Sequence, residues 1–283
     1  MKKIIIAGST KCGTTSLFNY LVDHPDVAKP FTKETRYFLD STYPLPKSKK
    51  YRYSEGEYDA LFFNSGEQFS CEATPDYMYS KGTPERIKRY LGEEAFIIFL
   101  LRKPEERFLS WHNHAIQTGA ISKDQSLEQF IKIQKISKDY DFFPEQYMNS
   151  FVQGDYGFYL KPWEKLFKKS HMFLIDTDDL KNFPDKVMKS LCVNLDLDSS
   201  FYRGYRFVES NVSENPRSML LSKMYYWITR NTRLVLPKSQ FVVRVLRPVR
   251  VFVHKRLFSE KGTERCVDEL ALIRKKYQEI GVD

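Results

Sequence analysis

Three bounded apolar runs organise the chain: KKIIIAG at 2–8, AFIIFLLR at 95–102 and HMFLIDT at 171–177. Each has the length and composition of a strand buried on both faces of a parallel sheet. Helical stretches are read over Thr14–Asp23, Pro84–Leu91, Pro104–Gln117, Leu127–Lys138, Leu160–Lys168 and Lys186–Leu195. Strands alternating with helices predict a three-layer α/β/α fold around a central parallel sheet, with a P-loop-like first turn. The stretch Lys29–Tyr58, rich in Pro, Lys, Tyr and Ser, predicts extended surface loops. DELALIRKKYQEI at 268–280 predicts a closing amphipathic helix. No repeat, low-complexity tract or linker divides the chain, so residues 1–283 are expected to form one domain, with about 215–283 as a basic, apolar helical addition.

The first strand leads into GSTKCGTTSL, which keeps the spacing Gly8-x4-Gly13 of a phosphate loop. Backbone N–H groups there, including that of Cys12, and the start of the following helix can hold an anion. Thr14 and Thr15 follow the second glycine where a nucleotide-triphosphate loop has Lys-Ser or Lys-Thr, and the lysine, Lys11, sits inside the loop. Thr14, Thr15 and Ser16 add hydroxyl donors. Such a loop suits a shorter phosphate chain without a metal. The strand at 95–102 ends in Arg102, where an ATPase sheet often offers a carboxylate for magnesium. Arg102, with Ser110 about two turns into the Pro-initiated helix, can grip a second, separate phosphate.

Two phosphate sites, a loop lysine and no metal describe 3′-phosphoadenosine 5′-phosphosulfate, and the motifs carry a family resemblance. KCGTTSL resembles the 5′-phosphosulfate loop of the sulfotransferases, and RKPEERFLS resembles their 3′-phosphate motif Arg-x-Pro-x-x-Arg-x-x-Ser. KETRYF (33–38) and CEATPDYM (71–78) resemble segments of carbohydrate sulfotransferases of the heparan-modifying type, as do GDYGFYLKPWEKLF and MFLIDTDDL. NPRS (215–218) looks like their late loop that closes over the nucleotide, which would bring Arg217 to the donor. The matches run in the family's order from about residue 4 to 220.

The resemblance implies sulfuryl transfer from 3′-phosphoadenosine 5′-phosphosulfate to a hydroxyl of a carbohydrate or glycolipid, without a metal and leaving adenosine 3′,5′-bisphosphate. It maps the catalytic base onto Glu34, which would take the acceptor proton. Lys11 would stabilise charge growing on the leaving phosphate. Glu72 and Tyr77 would shape the acceptor side or serve the structure. His24, His112 and His114 are rival bases, each expected to be structural.

Charge adds one feature. Of the net +9, the whole excess lies between Asn215 and Ser259, which has ten Lys and Arg and no Asp or Glu. Its part FVVRVLRPVRVFVHKRL (241–257) interleaves arginines with bulky apolar residues. It is expected to be a solvated basic face, a surface for an acidic glycan, or a peripheral contact with anionic lipid headgroups. No recognition motif accompanies it that would point to nucleic acid. Hydrophobic residues at 42% exclude global disorder. Four scattered cysteines, Cys12, Cys71, Cys192 and Cys266, form no metal-like pair. With no apolar run long enough to span a bilayer and no leader-like start, a cytoplasmic protein is expected, peripheral to the inner membrane face if at all membrane-bound. Two rivals stand beside the sulfotransferase: a magnesium-ATP kinase with Asp176 as metal ligand, and a non-catalytic polyanion-binding protein on the same fold.

Overall fold

The computed structural model describes residues 1–45, 57–63, 66–122, 124–136, 146–210, 215–216, 258–259 and 267–281. Five parallel strands form the central sheet: β1 (Lys2–Gly8), β2 (Val27–Ala28), β3 (Phe69–Ala73), β4 (Phe96–Leu101) and β5 (Met172–Asp176), in the order β2-β3-β1-β4-β5. β1 lies at the centre, with Ile5 opposite Glu72 of β3 on one side and Ile97 of β4 on the other. The loops that leave β1, β3, β4 and β5 therefore open on one edge of the sheet, where α/β folds bind ligands.

Alternation along β1 splits the core in two. Ile4 and Ile6 pack with Leu17 and Leu21 of α1 (Thr14–Val22) and with Met188, Leu191 and Leu195 of α7 (Pro184–Leu195). Ile5 and Ala7 face the opposite layer, with Ile87 of α2 (Thr83–Leu91) and Tyr159 and Trp163 of α5 (Tyr156–Leu166). A third cluster joins α3 (Pro104–Gln117) and α4 (Leu127–Lys132) to Ile273 and Tyr277 of the closing helix α8 (Val267–Glu279). The short α6 (Thr177–Asn182) follows β5 directly, capped by Asp176.

The three apolar runs all form strands, and α3 has the expected bounds. α4 is shorter than the pattern predicts. After Lys132 the chain turns to meet the 147–151 segment: Lys135 N–H donates to the Met148 carbonyl at 2.8 Å, and the Gln134 side chain accepts from Ser150 and Phe151. α5 begins a turn earlier than predicted, because the Asp155 carboxylate accepts from Phe158 N–H at 3.2 Å and caps its start. β2 and β3 were not foreseen as strands. Among the described residues no helix is long and apolar enough to cross a membrane.

Candidate active site

The loop between β1 and α1 is fixed from three sides. Ser9 N–H donates to the Leu100 carbonyl of β4 at 2.8 Å. The Thr177 hydroxyl bridges the carbonyls of Cys12 (3.0 Å) and Leu101 (2.8 Å), tying the loop to the start of α6. From below comes Arg107 of α3, fully buried. Its Nε donates to the Ser9 hydroxyl and the Thr10 carbonyl, Nη2 to the Thr10 hydroxyl and the Gln153 side chain, and Nη1 to the Ser150 carbonyl. All these acceptors are neutral, so its charge is left to act on whatever the loop holds.

Within the loop, Lys11 (φ 67°) and Gly13 (φ 82°) both take the left-handed conformation, which glycine adopts without strain and lysine does not. Alternating the backbone in this way turns successive N–H groups toward one point. Lys11 pairs with no carboxylate among the described residues. Burial, and next the Arg102 guanidinium, push its ammonium down from the ordinary lysine range to about 8. The Arg102 charge thus bears on Lys11, and no carboxylate among the described residues offsets it there.

Arg102 follows β4 and is held by both its ends: its carbonyl accepts from the Tyr156 hydroxyl at 2.7 Å, and its Nε pairs with Glu106 at 3.0 Å. Ser110 lies a turn beyond Glu106 on the same face of α3 and is half-buried. Tyr156 also lies 3.7 Å from the buried Cys12 thiol, so it links the phosphate loop with the Arg102 strand end. Burial raises that thiol's pKa, which keeps it an uncharged packing group.

The KETRYF segment lies across the start of α1. Lys33 donates through Nζ to the Thr15 hydroxyl at 2.9 Å, and its carbonyl accepts from Ala73 N–H at 3.0 Å. Glu34 is half-buried, with the Arg36 guanidinium on Oε2 and Lys33 at 3.9 Å from Oε1. What fixes this segment is Glu72 on β3. Its fully buried carboxylate accepts hydroxyl hydrogen bonds from Thr35, Thr74, Tyr58 and Tyr77, and also the Thr35 N–H. Burial raises its pKa while the four hydroxyls oppose that rise. Glu72 and Tyr77 are accordingly part of the scaffold that fixes the segment carrying Glu34.

Ser16 is buried, and its hydroxyl accepts from Ser210 N–H at 2.9 Å, while Asn19 donates to the Ser210 hydroxyl at 3.0 Å. The chain preceding residue 211 is therefore pinned beside the first turn of α1. Arg217 and the 241–257 segment lie outside the described residues. Of the rival groups, His24 is buried between the Asp198 carbonyl and Asp26 N–H, and His112 is buried against the Gln125 carbonyl. Asp176 caps α6 by accepting Asp178 N–H at 2.6 Å, and its side chain is exposed. The sequence reading missed Arg107 and Lys33. Both stand inside quoted motifs, and only their distant partners reveal their work.

A family model, the sulfotransferase domain, matches residues 1–225. The chain is 34% identical over 128 residues to the membrane-associated sulfotransferase kil1 of Dictyostelium discoideum, covering 45% of this chain and 26% of that protein. It is 26% identical over 200 residues to the bifunctional heparan sulfate N-deacetylase/N-sulfotransferase 4 of Mus musculus, covering 66% of this chain and 21% of that protein. The matched region thus spans about a quarter or less of these relatives. In fold, a sulfotransferase from Alicyclobacillus acidocaldarius superposes with a TM-score of 0.62 at 22% identity, over 82% of this chain and 93% of that one.

Proposed function

The chain belongs to the sulfotransferase family, and from that premise we propose that it moves a sulfuryl group from 3′-phosphoadenosine 5′-phosphosulfate to a hydroxyl of a carbohydrate or glycolipid. One observation carries this above the others: Lys11 is buried, the Arg102 guanidinium further disfavours its charge, and no carboxylate among the described residues pairs with it. An anionic ligand in the loop would relieve Lys11.

Donor binding would run as follows. The N–H groups from Cys12 to Thr15, with the hydroxyls of Thr14 and Thr15, hold the 5′-phosphate at the start of α1. Arg102 and Ser110 hold the 3′-phosphate, Arg102 exchanging Glu106 for it. Arg217, seven residues beyond the pinned Ser210, would close on the same end.

In the transfer itself, the acceptor oxygen forms a bond to sulfur as the bond from sulfur to the bridging phosphate oxygen breaks. The departing electron pair stays on that oxygen, where the Lys11 ammonium stabilises it. The acceptor proton goes to the Glu34 carboxylate, which the Glu72 hub and Arg36 hold in place. The sugar acceptor is supported by the heparan sulfate enzyme among the relatives and by the basic run at 241–257. That run would meet an acidic glycan or anionic headgroups at the cytoplasmic membrane face.

A transfer assay with labelled donor over a panel of glycans and glycolipids tests this directly. Label is expected on a sugar hydroxyl with the native chain and not with Glu34→Gln. Tight binding of both donor and glycan with no label moved would support the polyanion-binding alternative.

A further inference from the structure

Thr15 stands two residues past the second glycine of the loop, the place from which Ser or Thr ligates magnesium in a nucleotide-triphosphate loop. Here its hydroxyl accepts a hydrogen bond from the Lys33 ammonium at 2.9 Å. We infer that Lys33 takes the magnesium ion's part: its ammonium lies at the sulfuryl end of the donor and binds the sulfuryl oxygens during transfer. This rests on the donor assigned above.

Position and surroundings both argue for it. Lys33 reaches Thr15 on one side and lies 3.9 Å from Glu34 on the other, so it stands between the donor loop and the base. The reaction must bring two anionic groups, the sulfuryl group and the Glu34 carboxylate, onto opposite sides of one acceptor oxygen. A cation between them lowers their repulsion. An ammonium offers three donors, and Thr15 engages one, which leaves donors for sulfuryl oxygens. The segment is rigid enough to place that charge. The Lys33 carbonyl is bonded to β3 at Ala73, and the neighbouring Thr35 is bonded twice to buried Glu72.

The ammonium is also partly withdrawn from water. Burial lowers its pKa, Arg36 lowers it further, and Glu34, Cys71 and Asp76 pull the other way. Binding the sulfuryl group would restore to it the charge balance that water no longer gives.

The test compares two ligands that differ only in the sulfuryl group. Dissociation constants for 3′-phosphoadenosine 5′-phosphosulfate and for adenosine 3′,5′-bisphosphate are measured by calorimetry without acceptor, in EDTA. The proteins are the native chain, Lys33→Met and Lys33→Arg. For Lys33→Met, bisphosphate affinity is expected to stay within about twofold, while donor affinity falls about tenfold or more, the scale of one charge-assisted hydrogen bond. Transfer should fall with it, and Lys33→Arg should recover part of both. Equal changes for the two ligands, or native transfer by Lys33→Met, would overturn the assignment of Lys33 to the sulfuryl group. If the native chain binds neither ligand, it is the donor assignment that fails, and this one with it.

Discussion

Arg107 holds Thr10 by two hydrogen bonds, from Nε to its carbonyl at 3.0 Å and from Nη2 to its hydroxyl at 2.8 Å. A fully buried guanidinium in α3 thereby sets the backbone of the loop between β1 and α1. Replacing it with methionine removes the guanidinium donors from the Thr10 carbonyl, the Ser150 carbonyl and the Gln153 side chain in the core, while the Thr10 hydroxyl keeps the Trp111 indole N–H at 3.3 Å. Arg107→Met is expected to cost about 3 kcal/mol or more of stability, measured by urea unfolding. Lysine, with a single nitrogen for five acceptor groups, should recover little of that.

Lys11 gives the protein a pH dependence with opposite signs for stability and for binding. Its ammonium titrates at about 8 in the folded chain, against 10.5 in its ordinary state. Between those values the unfolded chain binds more protons, so this lysine's cost to stability is full below pH 8 and fades as pH rises. Donor affinity is expected to move the other way, because a phosphate favours the charged lysine. Affinity is expected to decline above pH 8 by up to about tenfold per pH unit, with the decline absent in Lys11→Arg.

Arg102 is expected to discriminate between ligands. Arg102→Ala is expected to weaken adenosine 3′,5′-bisphosphate by about tenfold or more while hardly changing adenosine 5′-phosphosulfate, which lacks the 3′-phosphate. Calorimetry with both ligands reads this. Equal losses would remove Arg102 from the 3′-phosphate.

Substitution of Glu34 is expected to separate chemistry from binding. Glu34→Gln keeps the size and loses the proton acceptor, so turnover is expected to fall about 100-fold or more while bisphosphate affinity is kept. Near-native turnover would remove Glu34 from the mechanism.

The residues explain which parts of this design could be read in advance. β1 and β4 were legible because buried parallel strands are written as short apolar runs, and α3 because Pro104 marks its start. β5 carries a similar apolar run although it lies at the sheet edge with Leu174 exposed, so the expectation of burial on both faces does not hold for it. β3 was hidden by Glu72, a carboxylate in the middle of a fully buried strand. It is tolerated there by hydroxyls from Thr35, Tyr58, Thr74 and Tyr77, and no local pattern announces that gathering. The same holds at the site. Lys11, Arg102 and Glu34 stand in motifs that name their chemistry. Arg107 and Lys33 act through atoms far along the chain, on Thr10 and Thr15 respectively, and a reading along the sequence has no way to join them.

The central claim is that protein groups alone clasp a nucleotide phosphorylated at both its 3′ and 5′ positions. Titration of adenosine 3′,5′-bisphosphate into the full chain, once in EDTA and once in magnesium, tests it most directly. Saturable one-to-one binding with the same affinity in both, and much weaker binding of ATP, is the expected result. Binding that needs magnesium, or that favours ATP, would contradict it.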